Sequence, residues 1–330
     1  MSYERYPSEN LIDLGATMLD VRRLRILREL AQRGTLAEVA AALHQSPSSV
    51  SQQLSQLERE AGAELLRKVG RRVELTPAGE LLVEHAGDIL DRLERAAAEV
   101  SALGSTVTGT VHIAAFQSAA LAFVPQLLAA LARDHPRLKM TFSQRLPEHA
   151  LAEARSAGLD LVIAQQYPHH HAPLHADLDV VPLTTDALRL ALPPGGSRWS
   201  GLRDLRDARD APWVLEPRSS ASRAWAEHEC RAAGFEPEVR YETDDLEAHI
   251  ALIESGYAVG ILPDLMRVRR RPDVRLVDLP GMPRREVFTS TRRSISNAPQ
   301  IRACRDALTA IVPPVLDIGT DAGRGAELES

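Results

Sequence analysis

Residues 46 to 62 read Ser-Pro-Ser-Ser-Val-Ser-Gln-Gln-Leu-Ser-Gln-Leu-Glu-Arg-Glu-Ala-Gly. Val50, Leu54, Leu57 and Ala61 recur at spacings of four, three and four, which places them on one narrow face of a helix. The other face carries Ser48, Ser49, Ser51, Gln52, Gln53, Ser55, Gln56 and Arg59, with no carboxylate before Glu58. Neutral donors and acceptors at this density suit the edges of base pairs: a glutamine amide matches adenine bidentately, and a serine hydroxyl serves bases or phosphates. A solvated polar face is the other reading of the same pattern, and the neighbouring residues decide between the two.

After Gly62 the chain runs Leu-Leu-Arg-Lys-Val-Gly-Arg-Arg-Val-Glu-Leu over residues 65 to 75. Arg67, Lys68, Arg71 and Arg72 flank a turn at Gly70, and Val73 and Leu75 alternate as in a short strand. A basic hairpin beside a polar helix supplies the phosphate and minor-groove contacts that set a protein in register on DNA. The elements that must carry this helix precede it. Val21, Leu24, Leu27, Leu30 and Ala31 share a helical face that ends at Gly34. Thr35 caps a second helix, Glu38 stands where a capping box needs it, and Leu36, Val39, Ala40 and Leu43 form its apolar side. Ser46 and Pro47 provide the cap and first turn of the third helix.

Residues 18 to about 80 resemble the winged helix-turn-helix of the bacterial LysR-type transcriptional regulators, and the run from Gly34 to Leu66 matches the family pattern without a gap. The resemblance implies DNA contacts at Pro47, Ser48, Ser51 and Gln52, with Arg71 and Arg72 in the wing. The family often has Gln-Pro where Pro47 and Ser48 stand, and arginine where Gln52 stands, so the operator sequence is left open. Thr35, Ser49 and Gln56 complete the candidate set on the DNA side.

Thr76 and Pro77 open a further helix that runs for several turns without proline. Leu82, Ala86, Ile89, Leu93, Ala96, Val100 and Leu103 follow alternating spacings of four and three, an a/d seam flanked by charges that calls for a second helix. A second copy of the same chain is the expected partner, since paired recognition helices reach two half-sites about one DNA turn apart. Packing across its own domain is the alternative use of so narrow a stripe. The resemblance implies the homodimer, and a tetramer built from two of them.

Beyond Gly104 the period changes. Strand, helix, strand, helix, strand over residues 109 to 166 reads as an α/β unit with a parallel sheet, and a second unit starts near Asp179. A strand over residues 285 to 294 and a helix over 299 to 310 return to complete the first unit. The fold class is therefore α/β: an all-α winged helix-turn-helix and long linker helix, followed by two α/β lobes with a cleft between them. The layout resembles the effector-binding domain of LysR-type regulators, itself similar to periplasmic solute-binding proteins. The expected divisions are a disordered leader at 1–17, the DNA-binding domain at 18–76 and the linker helix at 77–104. The first lobe takes 105–168 with 284–313, the second 169–283, and a disordered tail 314–330.

A small-molecule effector is the expected occupant of the cleft. Ser118 stands at a helix start, Gln165 and Gln166 end a strand, and Arg218, Ser219 and Ser220 lead into another helix. Helix N-termini favour anions, which points to a carboxylate or phosphate. Asp244, if it faces the cleft instead of capping a helix, suits an amine or hydroxyl, which keeps an amino acid or sugar-like effector open.

The 330 residues carry a formal net charge of −6, so any site for double-stranded DNA must be local. Two cysteines, no export signal and no run of the roughly 20 apolar residues that span a bilayer point to a cytoplasmic protein with no membrane partner. No phosphate loop, nucleophile elbow or metalloprotease motif is present, so neither an enzyme nor a cofactor is expected. His169, His170, His171 and His175 read as an exposed loop and not as a metal site, with metal sensing as the minor alternative. An architectural DNA-binding protein without effector is the competing function, and an enzyme on the α/β half stands behind it.

Overall fold

The computed structural model describes residues 18–69, 72–104, 106–169, 175–268, 271–313 and 315–316. The leader 1–17, Gly70, Arg71, His170, His171 and nearly all of the tail lie outside the described residues. Among the described residues, no helix is long and apolar enough to cross a membrane. The chain divides between Ala97 and Ala98 into two compact units.

The first unit opens with α1 (Val21–Arg33), α2 (Leu36–Ala42) and α3 (Pro47–Ala61). Asp20, Thr35 and Ser46 cap the three helices by accepting early backbone N–H groups. Gly34 and Gly62 end α1 and α3 with φ of +80° and +65°, the left-handed conformation that costs glycine least. Thr35 accepts from the Glu38 N–H, the half of the expected capping box that is present among the hydrogen bonds. Leu24, Leu27, Leu30, Val39, Ala40, Val50, Leu54 and Leu57 meet in one core. Val21 and Ala31, expected on the apolar face of α1, are exposed, and Ile26 is buried in the core instead.

The wing is β1 (Leu66–Val69) paired antiparallel with β2 (Arg72–Leu75), in register Lys68 to Val73. The long helix α4 (Pro77–Ala102) follows, with Thr76 Oγ1 accepting the Gly79 N–H and donating to the Glu64 carbonyl. Gly79 fits where nothing larger does, because a Cβ there would lie 2.2 Å from the Leu65 carbonyl oxygen.

In the second unit β3 (Gly109–Ala115) pairs in parallel with β4 (Leu138–Gln144) and β5 (Leu161–Gln166). Between these strands run α5 (Gln117–Ala122), α6 (Val124–Asp134) and α7 (Pro147–Arg155). Where the strand-helix-strand pattern predicts one helix after β3 there are thus two, separated at Phe123, with Pro125 in the first turn of α6. The 15-residue β6 (Leu178–Leu192) passes into a second lobe formed with β7 (Pro212–Leu215), α8 (Ala221–Ala232), β8 (Glu238–Glu242), α9 (Leu246–Glu254), β9 (Gly260–Pro263) and β10 (Arg275–Asp278). β11 (Arg284–Arg292) returns antiparallel to β6 and β5, and α10 (Pro299–Ile311) packs on the first lobe before the short β12 (Val315–Leu316). The sheet is therefore mixed rather than parallel throughout. The return strands run against the βαβ units because they carry the chain between lobes. Separate cores lie within each lobe, one around Ile113, Leu127 and Leu161 and one around Trp213, Trp225 and Leu190.

Candidate DNA interface and ligand cavity

On α3, burial of Val50, Leu54 and Leu57 turns Pro47, Ser48, Ser51 and Gln52 outward, and all four are exposed. Ser51 and Gln52 make no hydrogen bond within the described residues, so their polar groups are available to a partner. The neighbours are committed internally. Gln53 donates to Gln45 at 2.8 Å and to Ser49 at 3.3 Å, and Gln56 donates to Glu60 at 3.3 Å. Ser48 pairs with the cap Ser46 at 2.9 Å, and Thr35, on α2, is exposed but bound to its own helix. Ser49, Gln53 and Gln56 are engaged with these neighbours and the Ser48 hydroxyl is shared with Ser46, so Ser51 and Gln52 are the unbonded polar groups in the first half of the exposed face, with Ser55 and Arg59 further along it.

Glu58 fixes the wing to this helix. Its Oε1 accepts the backbone N–H groups of Leu65 at 3.0 Å and Leu66 at 3.1 Å, where β1 begins. Arg67 and Lys68 are exposed on β1, and Arg67 is paired with Glu74 across the hairpin at 3.0 Å. Arg71 lies outside the described residues; Arg72 begins β2, and its side chain is not described.

The seven seam residues, six on α4 and Leu103 just past its end, divide into two groups. Ala86 is buried in the core of the first unit and Leu82 packs against it. Ile89, Leu93, Val100 and Leu103 are exposed, at 39, 48, 70 and 88%, and Ala96 is exposed with them. The start of the seam thus closes the module's own core, and the rest is left exposed.

A cavity of about 150 Å³ opens between the lobes of the second unit. Ser118, Gln165 and Asp244 stand on its wall as the sequence suggests. Gln166 does not, because the two-residue period of β5 turns it to the opposite face from Gln165, where it bonds Glu286. Arg218 lines a separate polar groove with Arg240, Ser219 is exposed away from the cavity, and Ser220 is buried as the cap of α8. Ser222, two residues further on, reaches the wall in its place.

Arg285 of β11, absent from the sequence-derived set, organises the cavity. It is 3% exposed and holds Asp186 of β6 through Nε and Nη2, at 2.9 and 2.6 Å. Nη2 also donates to Ser118 at 2.8 Å, Nη1 donates to Gln165, the Tyr167 hydroxyl is a further partner, and the guanidinium lies 5.0 Å over the Phe116 ring. Asp186 in turn accepts the Leu265 N–H at 2.9 Å. Burial pushes the Asp186 carboxyl above its usual range, against the pull of Arg285, and pushes the Tyr167 hydroxyl up to about 12. The sequence holds one signal of this: Arg285 alternates with Val287 and Thr289 in a strand whose other members on that face are apolar or small.

Across the mouth, Gln117 of the first lobe grips the start of α9 in the second. Its Oε1 accepts the Leu246 N–H at 2.6 Å and its Nε2 donates to Asp245 at 2.8 Å. Glu148 of α7 likewise accepts the Ala221 N–H at the start of α8, at 3.3 Å. Among the described residues, no group of three or more His, Cys, Asp or Glu side chains is placed to hold a metal ion.

Residues 21–80 match the family described as bacterial regulatory helix-turn-helix protein, lysR family, and residues 104–312 match the LysR substrate binding domain. The transcriptional dual regulator GltC of Bacillus subtilis is 26% identical over 246 residues, covering 74% of this chain and 81% of GltC. The hydrogen peroxide-inducible genes activator of Pectobacterium carotovorum is 28% identical over 257 residues, covering 77% of this chain and 82% of that protein. Among solved structures, a full-length OxyR variant from Pseudomonas aeruginosa superposes with a TM-score of 0.67 at 20% identity, over 90% of this chain and 97% of the other. Full-length CbnR complexed with its target DNA gives 0.51 at 23% identity, over 89% and 100%.

Proposed function

The chain belongs to the LysR family of bacterial transcriptional regulators, with a DNA-binding helix-turn-helix and an effector-binding domain, and we propose how its own residues divide that work. Ser51 and Gln52 read base edges in the major groove, with Pro47 and Ser48 at the entering end of α3. Lys68 and Arg67, with Arg71 and Arg72 next to them in sequence, meet phosphates. Residues 18–76 form the DNA-binding domain, 77–104 the linker, and the lobes 105–168 with 284–313 and 169–283 enclose the effector. The observation that carries the reading is the exposed pair Ser51 and Gln52 on α3, neither bonded within the described residues, beside a basic hairpin.

The exposed half of the α4 seam joins two copies, and pairs of such dimers form a tetramer. The regulator acts in the cytoplasm, where DNA and a small metabolite are both at hand, and it carries out no bond-making. The effector stabilises one arrangement of the two lobes and so changes how the paired recognition helices sit on their half-sites.

Fluorescence anisotropy on the DNA upstream of the chain's own gene, with a shuffled control and a salt series, tests this. Gln52→Ala weakens the specific complex by about 1–3 kcal/mol and leaves the shuffled DNA unaffected. Lys68→Ala weakens both DNAs and reduces the salt slope by about 1. Gln53→Ala, at the internally bonded neighbour, leaves specificity intact. Equal binding of both DNAs by the parent overturns the assignment.

A further inference from the structure

The residues on the cavity wall also specify the chemical class of the effector, an inference that rests on reading this cavity as the effector site. Arg145, Arg223 and Arg285 line it together with Glu216 and Asp244, so a bare charge count favours an anion. The hydrogen bonds reverse that count. Arg285 is committed to Asp186, Ser118, Gln165 and Tyr167. Arg223 donates to Glu227 at 2.7 Å, to Glu242 at 2.6 Å and to the Glu216 carbonyl at 3.2 Å. Arg145 lies 3.7 Å from Glu153 and donates to the Gln144 carbonyl at 2.9 Å. The helix starts facing the lobe boundary are filled as well, α8 by Ser220 and Glu148, α9 by Asp245 and Gln117.

The carboxylates of Glu216 and Asp244 differ: among the described residues neither joins an ion pair or accepts a hydrogen bond. An independent feature on the same wall is Trp225. It is 1% exposed and stacked on Tyr167 at 5.6 Å, and its Nε1–H meets no acceptor. An indole N–H can only donate, and a buried donor without an acceptor is costly, so an oxygen brought by a ligand is favoured there.

We propose that the cavity takes a small protonated amine, its ammonium against Glu216 and Asp244 and an oxygen elsewhere on the molecule accepting from Trp225. A cavity of this size holds a benzene-sized body, which limits the ligand to roughly six to ten non-hydrogen atoms. Phe116, Leu146, Leu188, Leu215 and Ile261 supply apolar contact for its carbon skeleton.

The test titrates the full-length protein with probes of one skeleton, leucinamide, isoamylamine and 4-methylpentanoate, followed by calorimetry and tryptophan fluorescence. Leucinamide is expected to bind at least tenfold more tightly than 4-methylpentanoate, and the double variant Glu216→Gln, Asp244→Asn to abolish that preference. Trp225→Phe is expected to weaken leucinamide about fivefold and to leave isoamylamine, which has no oxygen, unchanged. Acid binding as tight as amine binding, or no amine binding below millimolar concentration, overturns the proposal. If the acid binds and Trp225→Phe weakens it, the amine class fails and the effector cavity stands. If probes bind and none of the variants matters, binding is elsewhere and both readings fail.

Discussion

The side-chain amide of Gln117 donates to Asp245 Oδ1 at 2.8 Å, from the start of α5 in one lobe to the cap of α9 in the other. The same amide accepts the Leu246 N–H, which as a first-turn donor has no partner within its own helix. Gln117 is thus one of two side chains, with Glu148, that tie the lobes together across the mouth of the cavity. In Gln117→Ala the Leu246 amide is expected to exchange its hydrogen about five- to tenfold faster, the scale of one hydrogen bond, with amides in the Trp213 core unchanged. Unaltered exchange at Leu246 rules the latch out.

The latch is pH-dependent with a definite sign. The Gln117 amide, followed by the Glu247 N–H, holds the Asp245 carboxyl below the usual carboxylate range. A depressed folded-state value means the contribution is present above the ordinary carboxylate pKa of about 3.9 and is lost as pH falls through the depressed one. In an NMR titration the Asp245 carboxyl carbon of Gln117→Ala should move at higher pH than in the parent.

Two glycines of α4 should respond to alanine with opposite signs. A Cβ at Gly79 would stand 2.2 Å from the Leu65 carbonyl oxygen, a backbone atom that cannot rotate away, so Gly79→Ala is expected to cost about 1–3 kcal/mol. A Cβ at Gly87 would meet nothing within 4 Å, and there alanine adds helix propensity worth about 0.8–1.0 kcal/mol. Urea unfolding followed by helical circular dichroism measures both. A neutral Gly79→Ala contradicts the close approach of α4 to the wing.

Neither cysteine of this chain is placed to react as a thiolate. Cys230 and Cys304 are fully buried in different lobe cores, and burial, followed by nearby carboxylates, pushes both thiols up to about 12. The thiolate is the reacting form, so peroxide should find almost none. Native protein treated with iodoacetamide is expected to remain unlabelled by mass spectrometry while both cysteines label in urea. Rapid native labelling at either position would show that thiol to be accessible and overturn the expectation.

The first unit was more legible in the sequence than the second, for physical reasons. Caps at Thr35 and Ser46, stops at Gly34 and Gly62, and the stripe Val50, Leu54, Leu57 are local signals, each expressed within a few residues. The cavity depends on contacts between distant residues. Ser118, Gln165 and Asp244 could be anticipated because they end or begin elements, whereas Arg285 meets Ser118 across 167 positions and Asp186 across 99. Serines ahead of α8 were expected at the cleft on the strength of a helix start, yet Ser220 turns back to cap its own helix. A local cap and a ligand contact use the same residue types, and the lobes' packing alone decides which is made.

The α4 seam separates residues that fold the module from residues that pair it. Leu82 packs on the buried core, and Leu93 is 48% exposed one heptad and a half further on. In an isolated chain an aspartate at Leu93 costs little, since exposed substitutions usually fall within about 0.5 kcal/mol. At a paired seam the same carboxylate would be buried against its copy, and the desolvation opposes association. Leu93→Asp is therefore expected to sediment as a monomer with an unchanged helical spectrum. It should also bind DNA far more weakly, because two half-sites are no longer held by one tethered pair. Leu82→Asp is expected to lose helical structure and DNA binding together. If Leu93→Asp keeps the parent's sedimentation coefficient, the chains associate through another surface, and the exposed stripe from Ile89 to Leu103 is not the pairing face.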